Sequence, residues 1–329
     1  MIAPHIRFAL VAGAALAALA ADLAPSPAHA QQGAGSAGGV VLQMPAGSRA
    51  ASLSGAYTAV TGDADVLFYN PAGLSSFQAG AGVAFEPLVE GISFGSAAGA
   101  FRLGKLALGA GISYLDGGSV DVTTPDPLFG GQRGTTTGQT ASASMSAARF
   151  AAALPLMDGR LRVGAAAGFV SQSIAGASSG APLFDLGAQF GLMPSLTAGA
   201  SLRNVGGSLS GDSTSAPLPA EARVGLAYTR ATHTGLGLAV SADFVAGLKE
   251  HTSGIVGGVE AGLMPAGSHR FGAVARVGFS GDQGSNGLAP LQVGGGLSLG
   301  AFALDYTFQD LNYFGAVHRF GLRWLSPLR

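Results

Sequence analysis

The histidine and carboxylate side chains of this sequence are the groups from which a hydrolytic or metal site could be built. Four histidines follow residue 30, at spacings of 18, 18 and 49 residues: His233, His251, His269 and His318. No carboxylate accompanies them at the spacing of a metal site. The long polar segments carry Asp116, Asp121, Asp126 and Asp212 without a histidine. Because general acid–base catalysis needs such groups side by side, we expect no enzyme, no cofactor and no metal.

Three glycine-containing motifs match catalytic or nucleotide-binding patterns by letter. Residues 33–38 match the dinucleotide fingerprint, but no strand precedes them and no helix follows. Residues 91–95 and 296–300 match the nucleophile-elbow pattern inside strand-like segments. Since 54 of the 329 residues are glycine, chance supplies such matches, and we assign them no chemistry.

Composition excludes several classes of protein. The chain is 48% hydrophobic and 11% charged, with a formal net charge of -1, so it has no basic surface for nucleic acid. It contains no cysteine, which removes disulfides, thiolate metal sites and an acylated lipoprotein cysteine.

The first thirty residues have the organisation of a secretory signal peptide. Arg7 precedes a charge-free apolar stretch over residues 8–21, and small residues stand one and three positions before Gln31. The apolar stretch is shorter than the roughly 20 residues that a membrane-spanning helix needs. We therefore expect residues 1–30 to be removed, residues 31–39 to form a flexible linker, and the mature chain to leave the cytoplasm.

Later segments alternate between large apolar and small or polar residues with a period of two. In residues 302–309 every even position is large and apolar, while Asp305, Thr307 and Gln309 share the other face, as in a two-faced strand. Most candidate strands have 10 to 13 residues, the length of a strand that crosses a bilayer at a tilt. There are fourteen: 79–86, 91–102, 105–115, 138–154, 160–172, 181–192, 195–204, 220–230, 235–246, 252–263, 269–280, 287–298, 301–309 and 314–324.

The connections differ in length by parity. Even-numbered ones are mostly tight, whereas odd-numbered ones include residues 116–137, 205–219 and 281–286. Short turns on one side and long loops on the other are typical of an outer-membrane barrel of a Gram-negative cell. The sequence thus predicts an all-β protein, a transmembrane antiparallel β-barrel of about 14 strands over residues 78–329, with both termini in the periplasm.

A weak repeat orients these strands. Segments 106–114, 161–169, 236–244 and 271–279 each begin with Leu or Phe and carry an aromatic residue eight positions later, on the same face. We interpret these residues as outward anchors. The opposite parity then predicts a lightly charged lumen that contains Arg162, Arg203, Asp243, Arg276, Asp305, Arg319 and Arg323.

Residues 40–77 interrupt the alternation. Residues 49–60 have helical apolar spacing, and residues 66–69 form a short apolar run that ends at Asn70-Pro71. Fourteen strands enclose more space than their own side chains fill, so we expect this segment to plug the lumen. Since a charge in a narrow lumen is costly unless paired, we expect Arg49, Asp63 and Asp65 to pair with Asp305, Asp243, Arg203 or Arg276.

The same segment carries a family resemblance. Residues 47–51, 55–60, 63–65 and 68–74, with Gly55, Asp63, Asp65, Asn70, Pro71, Ala72 and Gly73 among them, resemble the amino-terminal signature of the PorV/PorQ proteins. The Phe-Tyr-Asn-Pro-Ala-Gly part is similar to the hatch of FadL-type outer-membrane transporters. The resemblance implies an outer-membrane barrel whose amino-terminal segment enters the lumen.

For function, the PorV/PorQ resemblance implies a non-enzymatic carrier component of type IX-like protein secretion. The alternative is a FadL-like conduit for hydrophobic small molecules such as fatty acids. The expected partners are outer-membrane lipid, the barrel-insertion machinery during biogenesis, and either secretion-system proteins or an apolar small molecule. At the junction of plug and barrel, Pro71 favours an extended Asn70, and we expect Gly73 to use a positive φ in a bend.

Overall fold

The computed structural model describes residues 36–89, 91–127, 130, 133–210, 215–232, 236–263, 271–281, 291–310 and 315–326. These residues form sixteen strands, β1 Ala79–Pro87, β2 Ser93–Leu103, β3 Leu106–Pro125, β4 Gly134–Leu156, β5 Leu161–Ile174, β6 Ala177–Met193, β7 Leu196–Gly206, β8 Ser208–Ser210, β9 Ser215–Pro217, β10 Glu221–Ala231, β11 Leu236–Gly247, β12 Ser253–Leu263, β13 Phe271–Ser280, β14 Leu291–Leu299, β15 Phe302–Asp310 and β16 Ala316–Ser326. The helical segments are α1 Ser48–Ser52 and 3-10 helices at Val40–Leu42, Ala64–Phe68, Pro71–Ser76 and Met157–Gly159. Among the described residues, no helix is long and apolar enough to cross a membrane.

Fourteen of the strands close an antiparallel barrel, as the alternation predicts. Each strand pairs with its neighbour along the chain, β7 pairs with β10, and β1 pairs with β16 to complete the closure. β8 and β9 form a separate two-stranded hairpin in the connection between β7 and β10. Because the barrel is closed, each of its fourteen strands is hydrogen-bonded to a neighbouring strand on both sides. No strand lies at an open sheet edge, where another chain could pair with it.

The two ends of the barrel differ. One end, called here the turn end, holds the tight connections such as Gly104-Lys105, the start of β1 and the end of β16. The opposite end, called the loop end, holds the β8–β9 hairpin. At this end the expectation of a loop over residues 116–137 is wrong in part. β3 and β4 stay paired with each other there and extend past the ends of the strands next to them as a hairpin. The pairing has register shifts at Asp116/Ser119 and Asp121/Thr123.

The side chains of the barrel strands sort by parity, as expected. The predicted aromatic anchors Tyr114, Phe169, Phe244 and Phe279 are all exposed on the outer face. On β12, β13 and β15 the side chains at the alternate positions point inward and are buried. The charged residues among them are Glu260, Arg276 and Asp305. An apolar outside and a small, partly charged inside follow directly from a period of two on a closed sheet.

Residues 36–77, called here the plug, run through the lumen from the loop end to the turn end. At the loop end the Gly38 amide donates to the Pro217 carbonyl at 2.9 Å. At the turn end the Gln78 amide donates to the Ser326 carbonyl at 3.1 Å. Residue 38 therefore lies at the loop end and residue 326 at the turn end, and the expectation that both termini are periplasmic stays a prediction. The predicted signal peptide and residues 31–35 of the linker lie outside the described residues.

Candidate functional site: the contact between plug and barrel wall

Asn70 fastens the plug to two strands of the wall. Its side chain is fully buried, and its Nδ2 donates to the carbonyl of Thr58 in the plug at 2.7 Å. The same nitrogen lies 3.0 Å from the carbonyl of Ala188 on β6 and 3.2 Å from that of Ala200 on β7. Its Oδ1 accepts from the Ala72 amide at 3.1 Å and so caps the 3-10 helix that follows. One amide side chain thus satisfies backbone groups of plug and wall together.

The backbone around Asn70 agrees with part of the prediction. Asn70 is extended, with φ -155 and ψ 101, as the following proline requires. The expectation for Gly73 is wrong, because it lies inside the 3-10 helix Pro71–Ser76 and is not among the glycines with positive φ. Its role is steric: a Cβ at Gly73 would stand 3.1 Å from Val66 Cβ. The motif is therefore a packed element inside the lumen, and it does not join β1 directly.

Inward-facing glycines of the wall provide room for the plug backbone. A Cβ at Gly187 would overlap the Asn70 side chain, and one at Gly164 would lie 2.5 Å from the Ala72 nitrogen. Gly199 faces the carbonyl of Thr58 in the same way. The glycine richness of the lumenal face is thus explained by close backbone approach, which any side chain at these positions would prevent.

Arg49 joins the plug to the wall electrostatically. Its Nη1 lies 3.0 Å from Oδ2 of Asp63, which also belongs to the plug. Its Nε lies 3.1 Å from Oε2 of Glu260 on β12. The hydroxyl of Tyr57 donates to the same Asp63 oxygen at 2.5 Å, and the Arg49 guanidinium lies 5.7 Å from the centre of the Tyr57 ring. Arg49 is therefore held from three sides.

The contacts of Arg49 are part of a closed ring of alternating charges. On the wall, Arg276 contacts Glu260, and its Nη1 lies 2.7 Å from Oδ1 of Asp305. Arg323 contacts Asp305, and its Nη1 lies 3.4 Å from Oδ2 of Asp63. In order, the members of this charge ring are Arg49, Asp63, Arg323, Asp305, Arg276 and Glu260. Three cations and three anions balance, which is the condition under which buried charges are tolerated.

The expected partners of the plug charges are wrong in detail. Arg49 pairs with Glu260, and Asp63 pairs with Arg323, whereas Arg276 and Asp305 pair with each other. Asp65 is buried, and no described arginine lies within 4 Å of its carboxylate. The sequence thus shows which plug residues carry a charge, but it does not show which residues they pair with.

Asp243 binds the plug through hydrogen bonds to its backbone. Its Oδ2 accepts from the amides of Tyr57 at 2.9 Å and Thr58 at 3.0 Å. Arg223, whose Nη1 is 3.9 Å from the same carboxylate, donates to the carbonyl of Gly55 at 2.9 Å. Gly55 has φ 71, a left-handed conformation that suits glycine. These contacts hold the turn that follows α1.

Two further arginines expected in the lumen also meet the plug. Arg203 pairs with Glu221, and its guanidinium lies 5.2 Å from the centre of the Tyr69 ring, within range of a cation–π contact. Arg319 pairs with Glu86 on β1 and donates to a plug carbonyl. The plug is therefore bound by arginines from several sides of the barrel.

Several buried polar residues escaped prediction. Arg149 on β4 lies 2.9 Å from Asp185 on β6, and Glu260 completes the charge ring. Gln189 accepts from Arg162 at 3.0 Å. Each of these residues occupies an inward-facing position of its strand. The alternation of the strands therefore identifies them as lumenal when it is extended to every charged or amide residue.

The two described histidines lie on different elements. His251 lies in the turn between β11 and β12, and His318 faces outward on β16, where its Nδ1 is 2.7 Å from the hydroxyl of Tyr306. His233 and His269 lie outside the described residues. Among the described residues, no three histidine or carboxylate side chains form a group that could hold a metal ion.

Apolar side chains occupy the lumen at the loop end. Val41 and Leu42 of the plug pack there against the barrel and the β8–β9 connection. Met44, Leu88, Leu115 and Met145 cover this cluster as partly buried neighbours. The buried members of this apolar mouth are Val41, Leu42, Phe94, Ala147, Val170, Ala181, Leu183, Leu209 and Leu218.

Solved structures of other proteins share this architecture. The monoaromatic hydrocarbon channel CymD superposes with a TM-score of 0.59 at 14% identity, over 86% of this chain and 98% of that one. The Ralstonia pickettii toluene transporter TbuX gives 0.55 at 15% identity, over 86% and 98%. The P. putida toluene transporter TodX gives 0.54 at 13% identity, over 84% and 98%. No family model and no curated protein matches the sequence. At these identities the likeness concerns the fold.

Proposed function

We propose that this protein is an outer-membrane barrel that admits apolar small molecules through its loop end. The observation that carries the proposal is the apolar mouth, because Val, Leu and Phe side chains of plug and wall pack together at the loop end of the lumen, where an entering solute would have to pass between them. An apolar molecule gains free energy by leaving water for such a surface, whereas an ion or a sugar does not.

The outer face supports a position in lipid. Phe85, Phe150, Phe184 and Leu304 are among the many large apolar side chains exposed there. A soluble protein rarely exposes so continuous an apolar surface, while a closed barrel satisfies its backbone hydrogen bonds without water. Since outer-membrane barrels have their longer loops outside the cell, the loop end faces the medium and the turn end faces the periplasm.

The likeness to hydrocarbon channels favours the small-molecule alternative over protein secretion. The three solved structures above are described as transporters of toluene or channels for monoaromatic hydrocarbons. Secretion, which the PorV/PorQ resemblance implies, would use the rim as a protein interface. We therefore give preference to an apolar solute of the size of a monoaromatic hydrocarbon.

The test fills the apolar mouth from one strand. Ala147 on β4 is fully buried in the mouth, and its neighbour Ala148 has the outward parity. Ala147→Phe adds bulk in the path of a solute, and Ala148→Phe adds the same bulk on the lipid side. Uptake of radiolabelled toluene is measured in a strain that lacks this protein and in the same strain supplied with the wild type or with either variant.

We expect Ala147→Phe to reduce uptake at least severalfold and Ala148→Phe to leave it at the wild-type rate, with both variants folded as judged by heat-modifiable gel migration. Equal uptake by the two folded variants, or no dependence of uptake on the wild-type protein, refutes the proposal. Export of a secreted protein measured in the same strains then shows whether the secretion role applies instead.

A further inference from the structure

Asp65 lies beside the charge ring without belonging to it. The ring holds three arginines and three carboxylates, so it is neutral without Asp65. The Asp65 side chain is 3% exposed and lies in the 3-10 helix Ala64–Phe68. An ionised Asp65 is therefore a seventh charge beside the six of the ring, and the ring leaves it no arginine of its own.

Two glycines leave room for the Asp65 carboxylate. A Cβ at Gly47 would overlap its Oδ2, and a Cβ at Gly82 on β1 would lie 3.1 Å from its Oδ1. The same position at Gly82 is 3.5 Å from Cγ of Arg323. Asp65 and Arg323 thus flank one glycine, and Arg323 is the arginine that links Asp63 to Asp305.

The charged and titratable surroundings of Asp65 come from plug and wall. Those acting on it are Asp63, Arg49 and Tyr69 of the plug, Arg323 of β16 and Asp305 of β15. The strands packed against its helix add Glu86, which is paired with Arg319, and Arg102, which donates to the carbonyl of Ser75. The nearest carboxylates and arginines already hold one another in the ring.

We propose that Asp65 is a proton-controlled latch for the plug. When Asp65 carries a proton, the ring is balanced and the plug is held to β12 and β16 through Arg49 and Asp63. When Asp65 is ionised, its carboxylate competes with Asp63 and Asp305 for Arg323, and the plug loosens from the wall. This inference concerns plug movement and does not depend on which solute the barrel admits.

The direction of the pH dependence follows from the burial of this carboxyl group. Burial, and next the Asp63 carboxylate, raises the pKa of Asp65 to about 7. The folded state therefore binds the proton more tightly than the unfolded chain, whose aspartate has a pKa near 4. The protonated Asp65 carboxyl group therefore adds to the free energy of unfolding at low pH, and this contribution decreases as pH rises from about 4 to about 7. A medium above neutral pH favours the loosened plug.

The experiment compares wild type with Asp65→Asn, which has nearly the same shape but cannot ionise. Proteoliposomes are loaded with a small fluorescent dye, and its release is followed between pH 5 and pH 9. Asp121→Asn, on the β3–β4 hairpin outside the lumen, is the matched control. Difference infrared spectra of the wild type follow the C=O band of a protonated carboxyl group over the same range.

We expect release from the wild type to rise severalfold with a midpoint near pH 7, and Asp121→Asn to behave alike. Asp65→Asn should stay at the low level throughout, and its infrared spectrum should lack the band that titrates in the wild type. If Asp65→Asn retains the pH dependence, or if the folded wild type shows no titrating carboxyl band near neutral pH, the latch is refuted. Should Asp65→Asn fail to fold, the infrared titration of the wild type, assigned by ¹³C-labelled aspartate, decides the question alone.

Discussion

Replacing Arg49 by methionine tests whether the charge ring fastens the plug. The substitution keeps an unbranched apolar chain but removes the contacts to Asp63 and Glu260. Breaking a buried ion pair from one side costs about 3–5 kcal/mol. Each orphaned carboxylate keeps one arginine, Arg323 for Asp63 and Arg276 for Glu260, so we expect a loss at the lower end, about 3 kcal/mol.

The assay is urea unfolding of the barrel in lipid vesicles, followed by tryptophan fluorescence from the single Trp324. A double variant that also carries Glu260→Gln removes one of the orphaned charges. Because the two residues are in contact, its loss should fall short of the sum of the single losses by about 0.5–3 kcal/mol. Arg160→Met is the control: Arg160 is exposed at a tight turn and its guanidinium lies 5.4 Å from the centre of the Phe190 ring, so we expect a loss of at most about 1 kcal/mol.

Two outcomes would refute the reasoning. If Arg49→Met changes the free energy of unfolding no more than Arg160→Met does, the ring does not stabilise the folded protein. If the losses of Arg49→Met and Glu260→Gln are additive, the two side chains are independent and the contact of 3.1 Å carries no energy.

Three further predictions concern packing and topology. Gly187→Ala should destabilise the protein by about 1–3 kcal/mol, because the added Cβ would overlap the Asn70 side chain. Gly191→Ala, on the same face of β6, should be tolerated because the nearest atom to its Cβ is 3.7 Å away. Equal unfolding midpoints of the two variants would contradict the close approach of plug and wall at Gly187. In this cysteine-free chain, Val40→Cys should react with a membrane-impermeant maleimide on intact cells and Lys105→Cys should not, and the reverse result would invert the barrel. The unheated protein should migrate faster in mild detergent gels than the boiled protein, and a helical circular dichroism spectrum would exclude the fold.

The sequence predicted most of the barrel because strand and face are local properties. A period of two tells which residues share a face, and tight turns mark where strands end. Every one of the fourteen candidate strands corresponds to a barrel strand, with differences of a few residues at most ends. The β3–β4 hairpin was missed because its residues are polar on both faces, and two-sided polar strands carry no alternation.

The sequence also indicated that residues 40–77 break the pattern and carry charges that need partners. Only the tertiary structure decided which partners they have. Glu260, Arg276, Asp305 and Arg323 lie on four different strands, and they meet because closure of the barrel brings β12, β13, β15 and β16 around one level of the lumen. The direction in which the plug runs through the lumen is also decided only by the tertiary structure. Spacing along the chain fixes which face of a strand a residue occupies, whereas contacts across the lumen depend on strand register and on closure of the barrel.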